Sequence, residues 1–277
     1  MAVGRRRPGG YALSRLVLVI LVVLTFIPFL ILINMSLRPG LLTRLQFFGL
    51  PNPIHWQNFV NALQFAGRPI LNSLLICVVA LLFLLVMVGL AAYAFARFQF
   101  KGKTILFVTL LATMMIPPNL LLIPNYRLID SLGLLNTYWA LILPYAASQQ
   151  IGIVLARTFY ESLPQEMFEA AEIDGAGPLR TFLHIALPLS KPILITVGIF
   201  QLIAIYNDYI WPTLVLTQGG EAKTFAQTVF INAGGNGTLD MGMLAAAFIV
   251  GTIPLLIVTL SCLKYYLQGM VDGAVKM

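Results

Sequence analysis

The sequence predicts an all-α integral membrane protein with six transmembrane helices, and three observations predict it. Of the 277 residues, 59% are hydrophobic and only 10% charged, with a mean hydropathy of +0.90; a soluble domain carries about 25% charged residues. The charges are clustered, which leaves six long stretches almost free of them. Each stretch is close to the ~20 apolar residues that carry a helix across ~30 Å of hydrocarbon. The whole chain, 1–277, reads as one transmembrane domain whose solvent is lipid.

The spans are predicted near residues 16–37, 70–96, 104–124, 135–156, 192–215 and 241–263. The first follows Arg5, Arg6, Arg7 and Arg15 and begins like a signal peptide. A cleavable apolar core, however, is ~7–15 residues long and ends in small residues. This run continues to Ile33-Asn34-Met35-Ser36-Leu37, so it is read as an uncleaved helix. In the second span Gly89, Ala92 and Ala96 fall at i, i+3 and i+7, a small-residue stripe that lets another helix approach closely. Pro28, Pro117, Pro118, Pro124, Pro144 and Pro254 lie in or at the ends of spans. Each removes a backbone donor and leaves a carbonyl to be satisfied within the protein, which suits a bundle around a pathway or simple packing kinks.

The connections differ in character. Residues 38–69 contain Pro51-Asn52-Pro53 and the apolar Trp56, Phe59, Leu63 and Phe65, expected to form a short helix along the membrane interface. Residues 217–240 are rich in Gly, Thr and Asn and read as a flexible loop. Residues 157–191 hold five of the ten acidic residues. Orientation follows from Lys and Arg. With the amino terminus inside, the cytoplasmic connections hold Arg5, Arg6, Arg7, Arg15, Arg97, Lys101, Lys103, Arg157, Arg180, Lys191, Lys264 and Lys276. Only Arg38, Arg44, Arg68, Arg127 and Lys223 fall outside. Both termini are therefore expected in the cytoplasm, and the net charge of +7 reads as a topology signal rather than as affinity for nucleic acid.

Catalytic and cofactor motifs fail on spacing. Gly102-Lys103-Thr104 suggests a phosphate loop, but the glycine needed five residues earlier is Arg97 and no strand precedes it. The run from Asn232 to Gly237 lacks a lysine. His55 and His184 are predicted on opposite sides of the membrane, and Cys77 and Cys262 sit in separate apolar runs as buried small hydrophobes. No metal or catalytic set is expected, which argues against an intramembrane enzyme.

The inner segment 157–191 is the informative one. Pro164 suits a helix start, and Glu166 and Glu169 suit its first turns. Gly175 and Gly177 allow the backbone to reverse, and Pro188 is expected to stop a second short helix. Met167, Ala170, Ala171 and Asp174, at i, i+3, i+4 and i+7, are expected to form a face of small or soft residues that enters a groove. The segment resembles the permeases of bacterial ABC importers, whose signature is Glu-Ala-Ala, three residues, Gly, nine residues, Ile, any residue, Leu-Pro. Glu169-Ala170-Ala171, Gly175, Ile185, Leu187 and Pro188 match every fixed position.

The resemblance extends over nearly the whole chain and points to the carbohydrate-uptake branch, the partner like the smaller maltose-system permease. It is carried also by AYAFARFQFKGK, MIPPNLLLIPNYRLIDSLGLLNTYWALILPY, YNDYIWPTLVL and YYLQGMVDGAVK. It implies a type I importer permease fold in the cell membrane, with this EAA loop, Asp174 included, coupling to an ATPase. It also implies a second homologous permease subunit, two ATPase copies that hold ATP and Mg outside this chain, and an extracytoplasmic solute-binding protein. Sugar import is the implied function, and Glu169 would pair with an Arg of the ATPase. Residues 217–240 are expected to meet the binding protein.

A solute pathway is expected around Asp208, the one charge within a span, since intramembrane ionisable residues usually face the bundle interior. On an ideal helix Gln201, Ala204, Asp208 and Trp211 share a face, and polar groups beside an aromatic plane suit a sugar. Asn207, Tyr206 and Tyr209 are weaker candidates. Asp208 could equally pair with a local donor and fix the helix. A self-contained secondary transporter or channel is the competing reading. It would expect inverted repeats, broken helices in both halves and more intramembrane charge, and the sequence shows none of these.

Overall fold

The computed structural model describes residues 8–217, 221–233 and 240–274. Among them all regular structure is helical: α1 (Pro8–Ser36), α2 (Gly40–Leu45), α3 (Gln57–Arg97), α4 (Lys103–Met114), α5 (Leu122–Ser131), α6 (Trp139–Ala147), α7 (Gln150–Glu161), α8 (Glu166–Ile173), α9 (Pro178–Thr181), α10 (Leu187–Leu189), α11 (Lys191–Asn207), α12 (Ile210–Val215), α13 (Phe225–Ala233) and α14 (Met241–Ala274). A 3₁₀ turn, Pro118–Leu121, precedes α5, and a π turn, Phe182–Ala186, joins α9 to α10. The chain forms two compact units, Met1–Gly67 with Ile231–Ile253, and Arg68–Phe230 with Pro254–Met277.

Three helices are individually long and apolar enough to cross a membrane: α1 over Ser14–Ser36, α3, and α14 over Met241–Lys264. Up to six spans result when each bent helix pair counts as one. The interior spans are therefore broken, contrary to the unbroken helices read from the sequence. The predicted third span turns by 96° between Lys103–Met114 and Pro118–Ser131. Its α4 is 12 residues, only ~18 Å at 1.5 Å per residue, and it ends where Pro117 and Pro118 withdraw two donors in succession. The fourth bends by 40° between α6 and α7. In the fifth, α11 ends at Asn207, and Asp208 is extended, with φ −71° and ψ 124°. Broken helices thus occur here, and their presence no longer separates the two transport readings.

In the first unit, α1 carries Pro28 without a break, and its most apolar stretch has no buried residue. A helix apolar on every side needs an apolar surround, and here lipid supplies it. Beyond it Arg38, 1% exposed, turns inward. Its guanidinium donates to the carbonyls of Leu42 at 2.9 Å, Gln46 at 2.7 Å and Phe47 at 3.3 Å, at the end of α2. Its charge is absorbed by a helix C-terminus rather than displayed as the loop charge it was counted as. Asn58 Nδ2 donates to the carbonyls of Ser36 and Arg38, both at 2.9 Å. Asp240 accepts from the backbone N–H of Gly40 at 2.8 Å and of Gly242 at 2.7 Å. The interfacial helix expected within 38–69 is instead the beginning of α3, which runs through Pro69 as one helix of 41 residues.

The second unit holds the main core. Leu84, Val88, Ala92 and Tyr93 of α3 meet Ile153, Ala156 and Tyr160 of α7, Phe168 of α8, Phe182 and Ala186 of the π turn, and Leu194 and Val197 of α11. Glycines sit where these helices come close, Gly89 in the small-residue stripe of α3 and Gly152 in α7. A Cβ on Gly89 would lie 3.4 Å from the Phe182 ring, and one on Gly152 would lie 2.9 Å from both Val88 and Val197. Cys77 is buried in this unit, whereas Cys262 is only half-buried, so the expectation of two buried cysteines holds for the first alone. Residues 217–240 are not uniformly a loop: α13 inserts Phe225, Gln227, Thr228 and Val229 into buried positions. Its backbone N–H at Phe225 donates to Ser73 Oγ at 2.8 Å. The glycine run 234–237 lies outside the described residues.

Candidate coupling and solute sites

The inner segment folds as a helix, a reversal and a second helix. Glu166 and Glu169 occupy the first turn of α8, where carboxylates favour the helix dipole. Its end is a Schellman motif: Ala176 N donates to Ala171 O at 2.9 Å and Gly175 N to Glu172 O at 3.0 Å. Gly175 has φ +75°, the left-handed conformation that glycine tolerates. Gly177 is extended at φ −70° and ψ 164°, so the reversal rests on Gly175 alone. Pro188 does not end the second helix at once. The π turn precedes it, the helical run reaches Leu189, and the chain then bends by 73° into α11. The wide turn accommodates the donor that Pro188 lacks.

The outward face of α8 differs from the one expected to enter a groove. Glu169, Ala170, Met167 and Asp174 are exposed, but Ala171 is 7% exposed and points inward with Phe168. Positions 168 and 171 are one turn apart on the buried side, and Ile173, 87% exposed, joins the outer face instead. Ile185 and Leu187 pack against the core from the second helix, and Pro188 is exposed. The signature residues therefore divide: Glu169, Ala170 and Gly175 face out, while Ala171, Ile185 and Leu187 hold the loop to the core.

Residues outside the signature fasten this loop, and periodicity did not identify them. Arg97, at the end of α3, donates to Gln165 Oε1 at 2.8 Å, to Leu163 O at 2.9 Å and to Tyr160 O, while its guanidinium carbon lies 3.8 Å over the Phe168 ring. One side chain thus ties the second span to the end of α7 and to α8. Ser190, at the bend into α11, donates to Leu187 O at 3.0 Å and lies 2.9 Å from the Tyr160 hydroxyl. With the serine proton engaged, Tyr160 is the donor of that pair. Phe168 was the available signal, the one aromatic residue of α8 and three positions before Ala171.

A concavity of about 490 Å³ opens where α11 breaks, lined by Tyr145, Ser148, Gln201, Ala204, Asn207 and Asp208 among others. Asp208 Oδ2 accepts from the Tyr145 hydroxyl at 2.9 Å. Its Oδ1 accepts from Ile210 N at 2.9 Å and Trp211 N at 3.4 Å, so Asp208 also caps α12. Asp208 therefore fixes the helix break, as one reading of its charge expects, and it also lines this concavity. Gln201 Nε2 donates to Ser148 O at 3.0 Å, which joins α11 to the break between α6 and α7. Trp211 departs from the face expected of it. It is buried, its Nε1 donates to Ala140 O at 3.0 Å, and it does not line the concavity. The shared face with Gln201 assumed an unbroken helix, and the break at Asp208 rotates Trp211 away. Tyr206 is likewise buried, while Tyr209 lines the cavity and stacks on Phe230 at 4.1 Å between centroids.

Comparison with known proteins places this architecture. The chain is 35% identical over 231 residues to the probable ABC transporter permease protein YurM of Bacillus subtilis, covering 83% of this chain and 76% of that one. It is 34% identical over 257 residues to the melibiose/raffinose/stachyose import permease protein MelC of the same organism, covering 91% of each. In fold it is similar to a chain of a bacterial ABC transporter involved in import of the acidic polysaccharide alginate, at TM-score 0.79 and 23% identity, covering 96% of this chain and 99% of that chain. Residues 86–271 match the family model for the binding-protein-dependent transport system inner membrane component. With that match over most of its length, the chain belongs to the family of inner membrane components of binding-protein-dependent transport systems.

Proposed function

We propose that this permease subunit moves a sugar or oligosaccharide inward across the cytoplasmic membrane, driven by ATP hydrolysed in a partner. The observation that carries the reading is the two-sided construction of α8. Glu169, Ala170 and Ile173 are presented outward, while Phe168 and Ala171 are locked into the transmembrane core. A helix built in this way can receive a push from a soluble ATPase and pass it to membrane helices. Glu169 offers a carboxylate to a basic partner residue, and the ATPase holds the nucleotide and its Mg. A second homologous permease completes the pathway, with the concavity at Asp208 as this chain's contribution to it.

Both termini and α8 face the cytoplasm, and the segment around α13 faces the solute-binding protein. Sugar relatives such as MelC support the cargo class. The test is reconstitution of this chain with its companion permease and ATPase in liposomes, supplied with binding protein and radiolabelled raffinose and maltose. Uptake should require ATP, and Glu169→Lys should abolish ATPase copurification while this chain remains in the membrane. Uptake by this chain alone without ATP would favour the secondary-transporter reading and overturn the proposal.

A further inference from the structure

The fold neighbour that handles an acidic polysaccharide shows that this architecture does not by itself set the charge of the cargo. The side chains of the concavity do. Among the residues lining it, Asp208 is the one formal charge and none is Lys or Arg. The groups that bond its carboxylate, the Tyr145 hydroxyl and two backbone N–H groups, are all neutral. They hold the negative charge in place without cancelling it. Pro118, Ala204 and Ile205 supply apolar wall beside the carboxylate, and low-dielectric walls focus field lines into a cleft. The remaining polar lining, Ser148, Gln201 and Asn207, suits hydroxyl groups.

We infer that Asp208 is a specificity-determining residue that repels anionic solutes from this concavity and leaves it open to uncharged polyhydroxylated ones. The inference rests on the transport reading for its biological meaning, but the field itself can be measured independently. Asp208→Asn isolates the charge: Asn caps helices about as well as Asp, and its carbonyl can still accept from Tyr145.

The experiment places a thiol beside the carboxylate by Ala204→Cys, Ala204 being exposed on the cavity wall. The assembled importer in detergent is treated with a cationic methanethiosulfonate or with its anionic sulfonate counterpart. Labelling at position 204 is read by peptide mass spectrometry and normalised to each reagent's rate with a free small thiol. The cationic reagent should be favoured at least tenfold, the ratio that about 1.4 kcal/mol produces. Asp208→Asn should bring the ratio down about tenfold, and Asp208→Glu should keep it. Raising salt from ~0.05 to ~0.5 M should reduce it in the parent without any substitution at 208, which retains a readout if the Asn variant fails to assemble. A ratio near unity in the parent, or one insensitive to Asp208→Asn, overturns the inference. A charge-dependent ratio in an importer that shows no ATP-driven uptake would uphold the filter and sink the transport reading, so the two failures are distinguishable.

Discussion

Replacing Arg97 by alanine should uncouple ATP hydrolysis from transport, because its guanidinium supplies the hydrogen bonds that join α3 to the end of α7 and to α8. The bond to Gln165 is exposed, and exposed contacts of this kind contribute close to nothing. The bonds to the carbonyls of Tyr160 and Leu163 are part-buried. Charge-assisted bonds contribute about 1.5–3 kcal/mol each, and the lower figure suits partial exposure. The stacking over Phe168 at 3.8 Å adds about 0.5–1 kcal/mol. The loss in Arg97→Ala is therefore about 3.5–4 kcal/mol, enough to open this latch several hundredfold more often. Arg97→Lys keeps the positive charge that favours cytoplasmic placement but lacks the planar fork, and should lose about half as much. The assay is solute taken up per ATP hydrolysed in proteoliposomes. Basal hydrolysis should persist while the ratio falls in the order Arg, Lys, Ala. A wild-type ratio in Arg97→Ala, with unchanged thermal stability, would refute the latch; equal behaviour of Lys and Arg would show that charge rather than geometry matters.

Gly175→Ala forces a side chain into φ +75° at a cost of about 1–2 kcal/mol. Open space around that Cβ makes the cost purely conformational, so Gly175→Asn should copurify with the ATPase better than Gly175→Ala, and the reverse order would contradict the left-handed cap. Gly152→Ala would set a Cβ 2.9 Å from Val88 and Val197 and should lower stability in detergent by about 1–3 kcal/mol, with Val88→Ala partly restoring the melting temperature; an unchanged melting temperature removes the tight crossing. Reporter fusions after Arg97 and Asp174 should read cytoplasmic and one after Gln57 external, and the inverse pattern would reverse the proposed orientation.

Much of this was legible from composition and charge, because a lipid solvent leaves few ways to place long uncharged stretches. The first helix and reversal of the inner segment were legible too, since a left-handed glycine and acidic first turn are local features whose chemistry travels with their residues. Helix interruptions were not. Pro28 and Pro254 lie inside continuous helices, whereas Pro117 stands at a 96° turn, and the one mark that separates the cases is the second proline at 118. The outcome depends on whether neighbouring groups take up the freed carbonyls. Asp208 was recognised by its charge, but its role as a cap required knowing that the helix stops there. Trp211 was misassigned for the same reason, because helical periodicity extrapolated across a break assigns the wrong face. Arg97 escaped notice as a topology charge, since only tertiary structure shows that its guanidinium turns back toward the loop.

Those interruptions acquire a common meaning once the two sites are considered together. Helix α11 runs for 17 residues between them, about 26 Å at 1.5 Å per residue. At one end the 73° bend is held by Ser190, bonded to Tyr160 and Leu187. At the other, the extended Asp208 separates it from α12, and Tyr145 of α6 holds the carboxylate. A continuous helix would be anchored by its own hydrogen-bond ladder at both ends and would have to bend to move. A rod interrupted at both ends can tilt by changing a few backbone dihedrals and side-chain contacts. On the proposed mechanism, displacement of α8 reaches α11 through Phe168, Phe182 and Leu194, which share one core. It emerges at the concavity as a change in the Gln201–Ser148 and Asp208–Tyr145 pairs. The bonds at its two ends join α11 to α7 and to α6, the two halves of one bent pair, so on the proposed mechanism coupling and access are two readouts of one tilt.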